Sequence, residues 1–157
     1  MSVIFLENLF YFSIFIFIGA VIGSFVTAML FRMLNGESWI VNRGGGAARS
    51  ECPKCHHVLG IKDLVPVFSW ILQRGRCRYC HEKIPIKYLL IEALFIFLAC
   101  GVYSVFGFSI LSFFLLAVFP FIFVQGVLLF RTNIISEQLC GIIIGLILFY
   151  LLLILII

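Results

Sequence analysis

The sequence predicts an all-α integral membrane protein, with about four transmembrane helices and a small cysteine-bearing loop domain. Three observations predict it. Of 157 residues, 64% are hydrophobic and 11% charged, where a soluble domain is about half apolar and a quarter charged. Four apolar stretches are each long enough to cross a bilayer. And ten of the eleven Lys and Arg residues lie in one polar segment, between Arg32 and Lys87.

A helix rises about 1.5 Å per residue and a bilayer core is about 30 Å thick, so roughly 20 apolar residues make a span. The first span falls within residues 1–31, where Leu9 to Phe31 carries no charge. A cleaved secretory signal has a basic start. Here the first basic residue is Arg32, after the apolar run, so the stretch is a span. It contains Gly19 and Gly23 in a G-x-x-x-G pattern, which predicts close helix packing.

Residues 32–88 form the polar loop, which is too short for a good core of its own; domains of this size often need a metal or disulfide. Its start, "RGGGAARS" (residues 43–50), is turn-rich. It carries two Cys-x-x-Cys pairs, Cys52/Cys55 and Cys77/Cys80, separated by 21 residues. Between them lie Leu64, Val65, Val67, Phe68, Trp70, Ile71 and Leu72. These predict a short strand or helix over the metal, some of it resting on the membrane surface, since Trp favours that interface.

Three spans follow in 89–157, at about 89–106, 108–130 and 139–157. The second is the shortest and carries Glu92; the third contains Pro120. Gly107 and its neighbours join these two in a tight helical hairpin. An ionisable group within a span is costly and marks a functional site by default. Glu92 is placed to pair with a loop cation, to face a cavity, or to snorkel from the span's end. Cys100 and Cys140 lie in spans and read as small buried hydrophobes.

Lys and Arg resist translocation and so mark cytoplasmic loops. The 32–88 loop and Arg131, between the third and fourth spans, fall on one side. That side is the cytosol, and both chain ends face outward. The net charge of +4 is then the mark of a multi-pass protein of the bacterial inner membrane, and no nucleic acid is needed to explain it. In the reducing cytosol stable disulfides are disfavoured, and paired Cys-x-x-Cys thiolates suit a tetrahedral Zn²⁺. The gap is just beyond the usual spacing of about 15–20 residues. The reading is a zinc-ribbon-like domain with Cys52, Cys55, Cys77 and Cys80 as ligands. Four unliganded thiols, a thioredoxin-like redox pair, or a ligand among His56, His57 and His81 are its alternatives.

The run "CPKC … IKDLVPVFSWILQRGRCRYCHEKIPIKYLLIE", with "GSF" and Arg32 before it, closely resembles the N-terminal part of the bacterial type IV prepilin peptidase / N-methyltransferase family (peptidase A24). The family's pattern falls on Gly23, Ser24, Phe25, Arg32, Pro66, Ser69, Trp70, Gly75, Tyr88 and Glu92. The match covers about residues 19–95. Thr27 stands where the family usually has Asn, and Leu34 where Pro is common.

The resemblance implies cleavage of the basic leader of prepilins and pseudopilins, then methylation of the new amino terminus from S-adenosylmethionine. The zinc loop goes with the methylation half, and we assign Glu92, Tyr88 and Arg32 to a substrate or methylation region. The resemblance also implies two membrane-embedded catalytic aspartates. The one Asp here is Asp63, in the loop. The family's first catalytic segment corresponds to "LFRTNIISEQL", where Leu129 stands at the Asp position, Ser136 replaces Pro, and Glu137 replaces the next Asp. The second aspartate belongs to a later Gly-x-Gly-Asp span, and the chain stops at Ile157 before it. No catalytic residue is assigned. The expectation is a shortened or diverged homologue unable to cleave by itself, engaging prepilins and membrane lipid. Its alternatives are a non-enzymatic adaptor of a pilus or type II secretion assembly and a truncated gene product. A homo-oligomer, or a partnership with pilus assembly proteins, would complete a bundle of four spans.

Overall fold

A computed structural model describes residues 3–41 and 49–156. Most of the turn-rich 43–50 stretch and the chain's last residue, Ile157, lie outside the described residues. Among the described residues five α-helices follow in order: α1 (Val3–Leu34), α2 (Phe68–Leu72), α3 (Ile86–Phe106), α4 (Ile110–Thr132) and α5 (Glu137–Ile156). All but α2 are long and apolar enough to cross a membrane, so the chain is a multi-pass membrane protein.

The helices run past the purely apolar stretches, because backbone hydrogen bonding continues until something ends it. α1 reaches Leu34, at 32 residues about 48 Å long. α3 starts immediately after Pro85 and stops at Gly107, whose φ of 62° and ψ of −156° suit glycine alone. The Ser109 hydroxyl caps α4 by accepting from the Ser112 N–H, and Asn133 ends it in the left-handed conformation. Gln125 ties the α4–α5 turn: its amide oxygen accepts from the Ser136 N–H at 3.2 Å, and its NH₂ donates to the Ile134 carbonyl at 3.5 Å.

The α3–α4 turn is as short as the hairpin expectation requires, but the main partner of α3 is α1. The G-x-x-x-G pattern explains why. A Cβ on Gly19 would stand 2.6 Å from the Phe95 carbonyl oxygen, and one on Gly23 would stand 2.7 Å from the Glu92 Cα. Only bare glycine backbone lets α1 lie this close to α3. Two apolar clusters fill the bundle. Val26, Met29, Leu30, Phe95, Val124, Leu128 and Leu139 pack near the loop end; Phe15, Ala99, Val102 and Leu116 pack further along. α5 is outermost, with Leu139 as its one buried residue among those described.

Candidate functional site

Each cysteine pair sits in the same backbone device. Cys52 N–H donates to the His57 carbonyl at 3.0 Å, and His56 N–H donates back to the Cys52 carbonyl at 2.9 Å. Cys77 N–H donates to the Glu82 carbonyl at 2.8 Å, and His81 N–H to the Cys77 carbonyl at 3.0 Å. One antiparallel bridge closes each knuckle, Glu51 with Val58 and Arg76 with Lys83. His56 and His81 take the left-handed turn position, at φ 55° and 58°, which histidine tolerates better than most residues.

The two knuckles bring the four Sγ atoms within 4.8 Å of one another. Cys52 and Cys80 sulfurs are 3.7 Å apart, and Zn–S bonds of about 2.3 Å require a tetrahedral edge of about 3.8 Å. The four cysteines could hold a metal ion, and the donor set fits zinc. The histidines stand outside the cluster: His56 faces Glu51 at 3.6 Å, and His57 stacks on the Tyr79 ring. Among the described residues 49–85, Cys52 and Cys77 are the only buried hydrophobic residues. The module therefore has no apolar core to hold it, and a bound metal would supply what the core lacks.

The thiols do not share protons evenly. Burial pushes Cys52 up, but N–H groups of Cys55 and Lys54 and the Cys55 and Cys77 thiols outweigh it and draw Cys52 down to about 7. Cys80 gains a lowering hydrogen bond from the Glu82 backbone, yet desolvation and the neighbouring Cys55, Cys77 and Cys52 sulfurs push it up to about 12.

The intervening segment folds against the knuckles and the bundle. Asp63 is the module's hub, with its side chain only 4% exposed. It accepts from the Gly60 N–H at 3.1 Å, the Tyr79 hydroxyl at 3.1 Å and the Gln73 amide at 3.4 Å, and it pairs with Arg78 at 3.3 Å. Trp70 donates its indole N–H to the Ile84 carbonyl at 3.2 Å. Its ring lies over Gly75, where a Cβ would stand 2.7 Å from the ring, so the glycine of "GRC" is a seat for tryptophan.

Val67 makes the link to the bundle. Phe68 N–H donates to the Pro66 carbonyl at 2.6 Å around it, closing a three-residue γ-turn. Its φ of 64° and ψ of −52° are the rare, strained hand of that turn, and for a β-branched residue a genuine outlier. Its own N–H donates to the Glu92 carboxylate, Oε2, at 2.7 Å, and the Ser24 hydroxyl also reaches that carboxylate. Of the expected roles, Glu92 therefore faces a cavity and grips backbone; among the described residues it makes no ion pair with a loop cation. Gly23 lets the α3 backbone come close enough for this contact.

Arg32, Tyr88 and Glu92 line one cavity of about 830 Å³, between α1, the start of α3 and the module. Arg32 donates to the Ser38 carbonyl at 3.3 Å and to the Arg49 carbonyl. Thr27 also lines the cavity. It returns its hydroxyl to the Gly23 and Ser24 carbonyls of its own helix, at 3.0 and 2.7 Å. The "LFRTNIISEQL" segment is separate. Leu129 is 47% exposed and is not among the cavity's lining residues. Sequence reasoning missed Val67, whose strain has no sequence mark, and the hub role of Asp63, which its being the one aspartate of the sequence could have suggested.

The family model of the bacterial peptidase A24 N-terminal domain matches residues 17–106. A prepilin leader peptidase/N-methyltransferase of Myxococcus xanthus is 36% identical over 92 residues, covering 57% of this chain and 26% of that protein. One of Vibrio cholerae is 30% identical over 132 residues, covering 82% and 52%. A type 4 prepilin-like proteins leader peptide-processing enzyme of Escherichia coli is 35% identical over 88 residues, covering 48% and 33%. The chain thus spans between about a quarter and a half of the length of these curated relatives. No solved structure matches. The matched residues contain the close α1–α3 contact, both knuckles and the Val67–Glu92 link, and the chain belongs to the bacterial peptidase A24 N-terminal domain family.

Proposed function

We propose that this chain is a diverged prepilin leader peptidase / N-methyltransferase homologue that holds the N-terminal segment of type IV prepilins or pseudopilins and, with Leu129 at the first catalytic position, does not cut it by itself. The observation that carries this reading is the convergence of Arg32, Tyr88 and Glu92 on one cavity beside the metal clasp. The relatives' names supply the substrate class. In this reading residues 1–31 are the first span of an inner-membrane protein. Residues 32–88 lie in the cytosol, with Zn²⁺ on Cys52, Cys55, Cys77 and Cys80, and residues 89–157 hold three further spans. A substrate whose basic leader is cytosolic and whose next segment is apolar would meet the cavity at the membrane boundary.

Aspartic proteolysis needs two carboxyls that share a proton and activate water. Within these 157 residues the one aspartate is Asp63, and its carboxylate is occupied by four partners. Leucine at 129 can neither give nor take a proton. The second reading, a non-enzymatic adaptor of a pilus or type II secretion assembly, is favoured by that same Leu129.

The test reconstitutes the chain in vesicles with a purified prepilin and labelled S-adenosylmethionine. The prepilin is expected to sediment with the vesicles and keep its leader. Leader loss without added peptidase would sink the proposal. Retention or transfer of the labelled methyl donor selects the methyltransferase half; its absence with prepilin still bound selects the adaptor.

A further inference from the structure

We infer that α2 is set into the lipid leaflet on the module side, with Phe68, Ile71 and Leu72 against acyl chains and Lys62 and Arg74 at anionic headgroups. The argument begins with depth. Val67 N–H bonds to Glu92 at 2.7 Å, and Glu92 is six residues along α3 from Ile86, about 9 Å at the helical rise. α3 has 21 residues, about 32 Å, so it must use its whole length to cross a core of about 30 Å. Its first turns cannot stand clear of the bilayer. The backbone of Val67, bound to them, is therefore below the membrane surface. A second contact gives the same depth: Leu64 and Pro66 line a cavity of about 320 Å³ together with Phe25 and Val21, about two and three turns into α1 from Arg32.

α2 starts at the next residue. Phe68, Ile71 and Leu72 recur at the three- and four-residue spacing of one helical face. They are 67%, 54% and 78% exposed, and Ile61 of the adjoining 3-10 turn is 88% exposed. Such a face is costly in water and is in its proper solvent in lipid. Irregular backbone at this depth is tolerated where it is buried in protein, and the strained turn at Val67 has its N–H satisfied by Glu92. Cations stand at the edges of the apolar face: Lys62 follows Ile61, and Arg74 follows Leu72 by two residues, both exposed. An apolar face edged by cations suits an anionic leaflet. The inference does not depend on what the cavity binds.

The test places a tryptophan at Leu72 (L72W) in the full chain, in vesicles of phosphatidylcholine and phosphatidylglycerol, and reads the emission added over the parent. The added emission is expected to be blue-shifted, quenched by lipids brominated in the acyl chain, and spared by aqueous iodide. Brominated phosphatidylglycerol should quench more than brominated phosphatidylcholine. Phe68→Trp should report the same depth, and unchanged bound metal would verify that both variants are folded. Iodide quenching without lipid quenching would overturn the inference, as would shielding from both, which would mean that protein covers α2. Equal quenching by the two lipids would overturn the headgroup assignment.

Discussion

Val67 holds a backbone conformation that valine adopts only when its surroundings impose it. What imposes it is a carboxylate on a membrane helix, 25 residues away in sequence. Removing that carboxylate in Glu92→Ala would orphan a half-buried N–H, at about 1–3 kcal/mol. Glu92→Gln keeps a carbonyl acceptor and should lose less, about 0.5–1.5 kcal/mol, the worth of an ordinary hydrogen bond. Thermal unfolding in detergent checks the order: Ala below Gln below parent. Equal stability of all three would show that the contact holds nothing. At this scale the sequence was partly legible. Glu92 stood out because a charge in a span is rare, and Gly23 because small residues mark close helices. The partner of Glu92 was not legible, because a backbone N–H has no letter of its own and a strained φ on valine breaks the local rule. Asp63 read only as the one aspartate, placed in the loop, and the structure makes it the four-partnered centre of the module.

The two knuckles are one device used twice, and their existence was readable because Cys-x-x-Cys spacing fixes how sulfurs converge. The left-handed turn after each pair was not readable, since histidine, unlike glycine, does not by itself mark such a turn. The metal's hold should depend on pH in a direction set by the thiols. Cys52, drawn down from 9.0 to about 7, adds stability to the metal-free module above its ordinary value, and this is lost as pH falls through 7. Cys80, pushed up from 9.0 to about 12, adds stability below its ordinary value, and this is lost as pH rises through 12. At neutral pH Cys52 is thus divided between thiol and thiolate, while Cys80 is a protonated thiol. A metal must displace at least that proton, so zinc affinity should fall by about tenfold or more per unit of acidification. Competition with a zinc-sensitive dye between pH 6 and 8 measures it. We expect about one zinc per chain, and a module that loses its resistance to protease when the metal is stripped. The span helices were legible from apolar length, and their ends less so. Caps such as Ser109 and Asn133 decide where a helix stops, and composition does not record them.

In the whole molecule the loop and the bundle are one construction. α1 and α3 meet through bare glycine backbone, their meeting presents Glu92 beside Ser24, and Glu92 draws the segment between the knuckles down onto the spans. The cavity exists only because all three are assembled, which is why its residues are scattered from Arg32 to Glu92 in the sequence. The hydrophobic pattern made four spans legible. It did not say which spans pair, because lipid-facing and protein-facing sides are equally apolar and only the small residues distinguish them. The central claim is that this cavity receives the N-terminal segment of a prepilin. A photoreactive phenylalanine analogue at Tyr88, in the full chain reconstituted with a prepilin, tests it most directly. The account predicts a crosslink to the prepilin at or beside its leader junction, on a subunit whose leader is intact. Crosslinks from Tyr88 to lipid alone, with none to the prepilin, would contradict it.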